Sequence, residues 1–270
     1  MNILMYEHRP ADSLQPYIET YWKATFNVAG EPGFSHHIVP NGCIELIIHL
    51  TDHHCKLRRE GNSYDRSPPY TLMGIYDRPY IVRFPSAVRT FGIRFHPDGF
   101  RHLLGVPPGA FVSTYEDGVS VAGKQLEHFC ERIREELATD RQVMAADRFF
   151  TEQLARQKKS RDFTHDTMDL IRKTNGLIRI NELNDAIPVS PRQLQRLFRQ
   201  HYGFTITDYI RYARLNTVRK YLLSGQSFTQ LSYELGFSDQ SHFIREFRNF
   251  TGVSPNGFIK EMDRFSDNAV

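Results

Sequence analysis

Ser232-Tyr-Glu-Leu-Gly-Phe-Ser-Asp-Gln-Ser-His-Phe-Ile-Arg-Glu-Phe-Arg248, closed by Gly252-Val-Ser-Pro255, decides the fold of the C-terminal part of this chain. The chain has already written the same frame once. Leu183, Ser190, Leu194, Arg196, Phe198, Arg199 and Gly203 are answered by Leu231, Ser238, Phe243, Arg245, Phe247, Arg248 and Gly252. The first two pairs share one offset, and from Leu194 and Phe243 onward the offset is one residue longer. A single insertion after the serine accounts for the difference. Each copy has the form of a helix-turn-helix.

In the first copy, Ile180, Leu183 and Ile187 fall on one face of a short helix. Pro188 stops it. Ser190 has the character of an N-cap and Pro191 sits at the first helical position. The second helix runs to about Tyr202 and ends at Gly203. Leu194, Leu197 and Phe198 turn inward. Arg192, Gln193, Gln195, Arg196, Arg199 and Gln200 occupy the other faces, with no acid among them. Arg pairs with guanine and Gln with adenine through two hydrogen bonds each, and spare Arg side chains neutralise phosphates. One such face alone is as often a solvated surface. Two in the same frame favour DNA.

The second copy begins near Ser227. Phe228, Leu231 and Leu235 form its first packing face, Gly236-Phe237 the turn, and Ser238 the expected cap. Its second helix is expected from Asp239 to about Phe250, with Phe243, Phe247 and Phe250 inward and Gln240, Ser241, His242 and Arg245 outward. The insertion predicts a second reading face shifted relative to its cap, and so two unlike half-sites. Ile206 to Leu223 reads as one long helix of about 27 Å. Arg211, Arg214, Arg219 and Lys220 project from it. A rod of that length suits two reading helices about one DNA turn apart, roughly 34 Å.

These motifs resemble the tandem helix-turn-helix domain of the AraC/XylS family of bacterial transcription regulators, over about Phe163 to Met262. Tyr209, Arg214-Leu215 and Leu222-Leu223 of the long helix add to the match. The resemblance implies two helices in adjacent major grooves of double-stranded DNA. By position, Arg192, Gln195 and Arg196 would read bases in one, and Gln240, His242 and Arg245 in the other. Gln193 and Ser241 complete the DNA-facing set, with Arg199 and Arg248 as phosphate contacts or ion-pair partners. Asn184 and Ser232 replace the family's usual Ala. The resemblance also implies RNA polymerase as a partner of an activator, although repression fits the same residues, and a homodimer formed through the N-terminal part.

The 270 residues, 40% of them hydrophobic, predict two domains: 1–157 and 163–264, split at the polar Gln157-Lys-Lys-Ser-Arg161. A net charge of +3 makes the basicity local rather than general. Three cysteines without CxxC pairing point to a reducing compartment. Without an apolar leader or a membrane-length apolar run, a cytoplasmic protein is expected.

The N-terminal half reads as strands. Cys43–Leu50 alternates, with Ile44, Leu46, Ile48 and Leu50 on one face and Cys43, Glu45, Ile47 and His49 on the other. Thr71–Tyr76, Tyr80–Phe84 and Val88–Phe95 follow, with Asn41-Gly42 and Asp77-Arg78-Pro79 as turns. These fit a small barrel or sandwich. Pro40-Asn-Gly-Cys-Ile-Glu-Leu46 and Gly92-Ile-Arg-Phe-His-Pro-Asp-Gly99 resemble an uncharacterised, cupin-like domain that precedes this type of DNA-binding domain. The fold class expected is therefore α+β: a cupin-like β-barrel with flanking helices at about 120–157, then an all-α domain. That domain comprises helix-turn-helix units at about 180–203 and 227–252, joined by the helix 206–223.

In a barrel, Glu45 and His49 would line the lumen beside Arg94 and Trp22, forming a small-molecule effector pocket. The alternative gives Glu45 a local structural hydrogen bond, makes Arg94 a structural salt-bridge partner and puts Trp22 in the core. His36, His37, His49, His53, His54, His96 and Cys55 share this half, but no spacing among them converges on a metal. No metal, cofactor or catalytic constellation is expected; a metal- or redox-sensing, or residually enzymatic, barrel is the competing reading. Leu126, Phe129, Ile133 and Leu137, then Val143, Phe150 and Leu154, mark two packing helices.

Overall fold

The computed structural model describes residues 2–27, 34–58, 63–76, 79–157, 162–223, 235, 237 and 239–260. Among the described residues, ten strands precede most of the helices: β1 Asn2–His8, β2 Ile18–Asn27, β3 Phe34–Ile38, β4 Ile44–His49, β5 Lys56–Arg58, β6 Tyr64–Arg66, β7 Tyr70–Met73, β8 Tyr80–Phe84, β9 Val88–Phe95 and β10 Tyr115–Asp117. They form two antiparallel sheets, ordered β1-β2-β9-β4-β7-β10 and β3-β8-β5-β6. The expected closed barrel is not formed by the described strands. Two facing sheets enclose the interior instead, and no ladder joins them into one ring.

Alternation along the strands builds two different interiors. Ile44, Leu46 and Ile48 of β4 share a core with Phe91, Ile93 and Phe95 of β9, all fully buried. Helices cover this face: α1 Pro97–Leu104, α2 Gly118–Ala122, α3 Lys124–Glu135 and α4 Thr139–Arg156. Leu126, Phe129 and Ile133 of α3 enter that core, as does Phe150 of α4. Leu137 does not: α3 ends at Glu135, and Leu137 is 87% exposed. On the opposite face, Trp22, Ala24 and Phe26 meet Leu57, Val82 and Phe84 of the smaller sheet. Tyr80–Phe84 and Val88–Phe95 have their expected bounds, whereas β4 stops at His49 and β7 at Met73. Gly42, at φ +69°, makes the expected turn before β4; Asp77 and Arg78 lie outside the described residues.

The C-terminal part is helical: α5 Phe163–Lys173, α6 Ile180–Ala186, α7 Pro191–Tyr202, α8 Ile206–Leu223, α9 Gln240–Thr251 and α10 Pro255–Lys260. Leu183 and Ile187 are buried as their spacing predicts, but Ile180 is 37% exposed. Thr205 and Asp208 cap α8 reciprocally, the Thr205 N–H donating to Asp208 at 2.8 Å and the Asp208 N–H to Thr205 Oγ1 at 3.1 Å. Arg214 does not project from α8: its guanidinium donates to the Gly176 carbonyl at 3.0 Å. Lys158–Arg161, Phe228, Gln230–Glu234, Gly236 and Ser238 lie outside the described residues.

The two parts touch through a buried polar joint. Asp98, on α1, accepts from Arg172 at 2.7 Å and pairs with His165 at 2.5 Å, both on α5. Burial alone would raise the Asp98 pKa, but Arg172 and His165 outweigh it and hold the carboxyl well below its usual range. Gly109 backs onto Gly203 at the end of α7, and Gly252 at the end of α9 lies against Pro79.

Candidate nucleic-acid interface and inter-sheet cavity

α7 and α9 are built alike. Ser190 Oγ accepts from the Gln193 N–H at 3.3 Å, Pro191 opens α7, and Gly203 closes it at φ +74°. Asp239 accepts from the His242 N–H at 2.7 Å, and Gly252 closes α9 at φ +82°. The cap of the second helix is thus Asp239, not Ser238. Ser and Asp are both good caps and stand side by side, so sequence alone favoured the residue aligned with Ser190. The correction removes the expected shift of the reading face. Counted from the caps, Leu194 matches Phe243, Phe198 matches Phe247 and Arg196 matches Arg245. The inserted residue lies before the cap.

Burial then sorts the faces. Leu194, Phe198, Phe243 and Phe247 are fully buried. Arg192, Gln193, Gln195, Arg196 and Arg199 on α7 are exposed, as are Gln240, Ser241, Arg245 and Arg248 on α9; His242 is half-buried. Counted from the caps, Arg192 faces the position of Ser241, Gln193 that of His242, and Gln195 that of Ile244. Ile244 is 39% exposed and was not among the expected readers. Its only signal in the sequence is an apolar residue out of phase with Phe243 and Phe247. Glu246 pairs with Arg211 of α8 at 2.8 Å, which neutralises the one acid inside α9.

The four expected effector residues line one cavity between the sheets. Trp22, Glu45, His49 and Arg94 border a volume of about 60 Å³, together with Met5, Ile47 and Thr90 among others. Register explains the meeting, since Glu45 pairs with Arg94, Ile47 with Gly92, and Trp22 with Gly92. Arg94 Nε donates to Glu45 at 2.8 Å and Arg94 Nη1 to Glu7 at 3.2 Å. His49 is fully buried. Burial, and then the positive charge of His54, Arg134 and Arg66, lowers its pKa to about 3.

Among the described residues, no group of three or more His, Cys, Asp or Glu converges on a metal position. Cys43, Cys55 and Cys130 are buried free thiols. Burial pushes all three up, Cys55 to about 11, so they are poor thiolates near neutral pH. No described helix is long and apolar enough to cross a membrane.

Residues 183–261 match the family described as a helix-turn-helix domain, and residues 6–117 match a domain of unknown function, DUF6597. Over 76 residues the chain is 37% identical to the HTH-type transcriptional regulator ArgR of Pseudomonas aeruginosa, covering 28% of this chain and 23% of that protein. Over 85 residues it is 33% identical to the transcriptional activator RhrA of Rhizobium meliloti, covering 30% and 27%. The chain therefore spans about a quarter of the length of these curated relatives. Among solved structures, ToxT from Vibrio cholerae has a TM-score of 0.51 at 9% identity, covering 96% of this chain and 98% of that one. ToxT bound to (E)-4-(8-methylnaphthalen-1-yl)but-3-enoic acid gives 0.50 at 10%, covering 96% and 99%. These chains share the fold.

Proposed function

We propose, for a chain whose C-terminal segment is a helix-turn-helix domain of the AraC type, that the protein is a sequence-specific transcription regulator acting on double-stranded DNA. The observation that carries this reading is the shared frame of α7 and α9. Both helices are capped, glycine-terminated and packed on aromatic or leucine residues, and both turn long polar side chains outward. In this reading the chain divides into an effector and dimerisation domain at 1–157 and a DNA-binding domain at 163–264. Units at about 180–203 and 227–252 are joined by α8. Arg192, Gln193, Gln195, Arg196 and Arg199 meet one major groove, and Gln240, Ser241, His242 and Arg245 the next. Ile244 joins the second set, where an apolar side chain suits a thymine methyl.

Control comes from a small molecule held in the N-terminal half, where Trp22, Glu45, His49 and Arg94 line a cavity. The ligand-bound ToxT structure supports looking for one in a chain of this fold. RNA polymerase and a second copy of the chain are the protein partners, and the cytoplasm the compartment. We assign no catalytic role. The test is DNA affinity of the purified protein against salt, on the promoter of its own gene and on random DNA. The account expects a steep fall with salt and a clear preference for the promoter. Salt-independent binding, or equal affinity for both DNAs, would contradict it.

A further inference from the structure

The face of the six-stranded sheet that looks toward the smaller sheet carries polar atoms its packing does not use. Trp22, Gly92 and Ile47 form one row across β2, β9 and β4; Ala24, Thr90 and His49 form the next. Gly92 lets the indole lie flat on the sheet: a Cβ there would stand 2.0 Å from Trp22 Cε2 and 2.5 Å from Nε1. Trp22 Nε1, His49 Nδ1 and Thr90 Oγ1 have no hydrogen-bond partner among the described residues. Their residues are 5%, 0% and 3% exposed, and all three line the inter-sheet cavity. Buried polar groups are nearly always paired, so three unpaired groups around one space call for an occupant.

The direction of the surrounding hydrogen bonds says what the occupant offers. Cys55 Sγ donates to Ser67 Oγ at 3.3 Å, which leaves the Ser67 proton for His49 Nε2 at 2.9 Å. The neutral ring is assigned the tautomer in which Ser67 donates to Nε2, which puts the ring's own proton on Nδ1. Trp22 Nε1 can only donate. The atoms left unpaired around the cavity are therefore two N–H donors and one hydroxyl. Its lining cation, Arg94, is already bonded to Glu45 and Glu7. Ile47, Met73, Val82 and Phe84 make much of the remaining wall apolar. About 60 Å³ is the space of roughly two waters and well under the roughly 150 Å³ that holds a benzene ring, which suits a molecule of about three or four carbons.

We propose that this cavity binds a small neutral molecule with an apolar body and a carbonyl-type acceptor, held by Trp22, His49 and Thr90. The assignment rests on reading the N-terminal half as the effector-holding half. A carboxylate is disfavoured because it would lose its hydration without gaining a free positive charge.

Trp22 is the only tryptophan in the chain, so its emission reports on the cavity in the intact protein. The experiment titrates the full chain with acetone, with isobutene and with acetate. Trp22 emission and melting temperature are followed, with DNA affinity measured in parallel. The ketone is expected to saturate both signals, with the hydrocarbon of the same shape about tenfold weaker and the carboxylate weaker still. Thr90→Val should weaken the ketone about three- to tenfold and leave the hydrocarbon unchanged, and Trp22→Phe, read by melting temperature, should narrow the gap between ketone and hydrocarbon by a similar factor. Equal binding of ketone and hydrocarbon, tighter binding of the carboxylate, or no response to any of the three overturns the proposal; in the last case water satisfies the three atoms. Ketone binding without a change in DNA affinity keeps the site and removes only its regulatory role.

Discussion

α7 and α9 are the same helix in frame and different helices in face. Each has a capping side chain, buried residues four and eight positions past its cap, Leu194 and Phe198 in one and Phe243 and Phe247 in the other, and a left-handed glycine at the end. Their outward positions diverge: Arg192 against Ser241, Gln193 against His242, and Gln195 against the exposed Ile244. Only Arg196 and Arg245, and Arg199 and Arg248, keep their type. What packs is repeated and what points outward is not. The repeat is kept among the buried residues and lost on the exposed side, the side proposed to meet DNA. The two helices are therefore expected to read different sequences from equivalent positions, rather than through a shifted frame.

The largest effect tests the shared frame. Phe198→Ala and Phe247→Ala each remove a fully buried ring, and each should cost about 3–5 kcal/mol in denaturant unfolding. A small loss at one of them would break the equivalence. Next come the arginines. Arg196→Ala and Arg245→Ala should each weaken DNA binding by about 1–3 kcal/mol and relax base preference at separate positions. Uniform losses on every sequence would make them phosphate contacts. The caps sharpen the comparison further: Ser190→Ala and Asp239→Ala should each cost about 1 kcal/mol in stability. Asp239 should cost more, because a carboxylate at 2.7 Å also answers the helix dipole, whereas Ser190 accepts at 3.3 Å.

The smallest effect lies at the joint between the sheets and the helices. Burial would lower the His165 pKa, but its hydrogen bond to Asp98 and that carboxylate's charge raise it. Its contribution is therefore complete below about pH 6.5 and fades as pH rises through the folded value. Asp98 is shifted down, so its contribution is present above about pH 4 and lost as pH falls below that. Melting temperature should therefore decline on both sides of a mildly acidic optimum. His165→Gln should flatten the alkaline side only, and an unchanged alkaline slope would contradict the role given to His165.

Legibility in the sequence followed burial. β8, β9 and most of β4 could be read because their alternation or apolar runs were uninterrupted. β2 could not: both its faces are covered, and a register shift between Ile18 and Thr20 breaks its period. β5 and β6 have three residues each, too few for any period. α1 carried signals in Pro97 at its start and Gly105 just past its end, but the sequence reading placed no helix between Phe95 and about residue 120. The cavity residues were legible because Glu45 and His49 fall two apart twice over on β4. Gly92, which makes room for Trp22, was not, because its role depends on cross-strand register. Asp239 was missed because two capping residues stood together.

The central claim is that one frame presents two unlike reading faces. It is tested most directly by selecting bound sequences from random DNA with the full-length protein. The account predicts two unlike conserved blocks centred about one helical turn apart, the Arg196→Ala protein blurring one and Arg245→Ala the other. A direct repeat of one block, a single block sensitive to both substitutions, or no enriched sequence would contradict it.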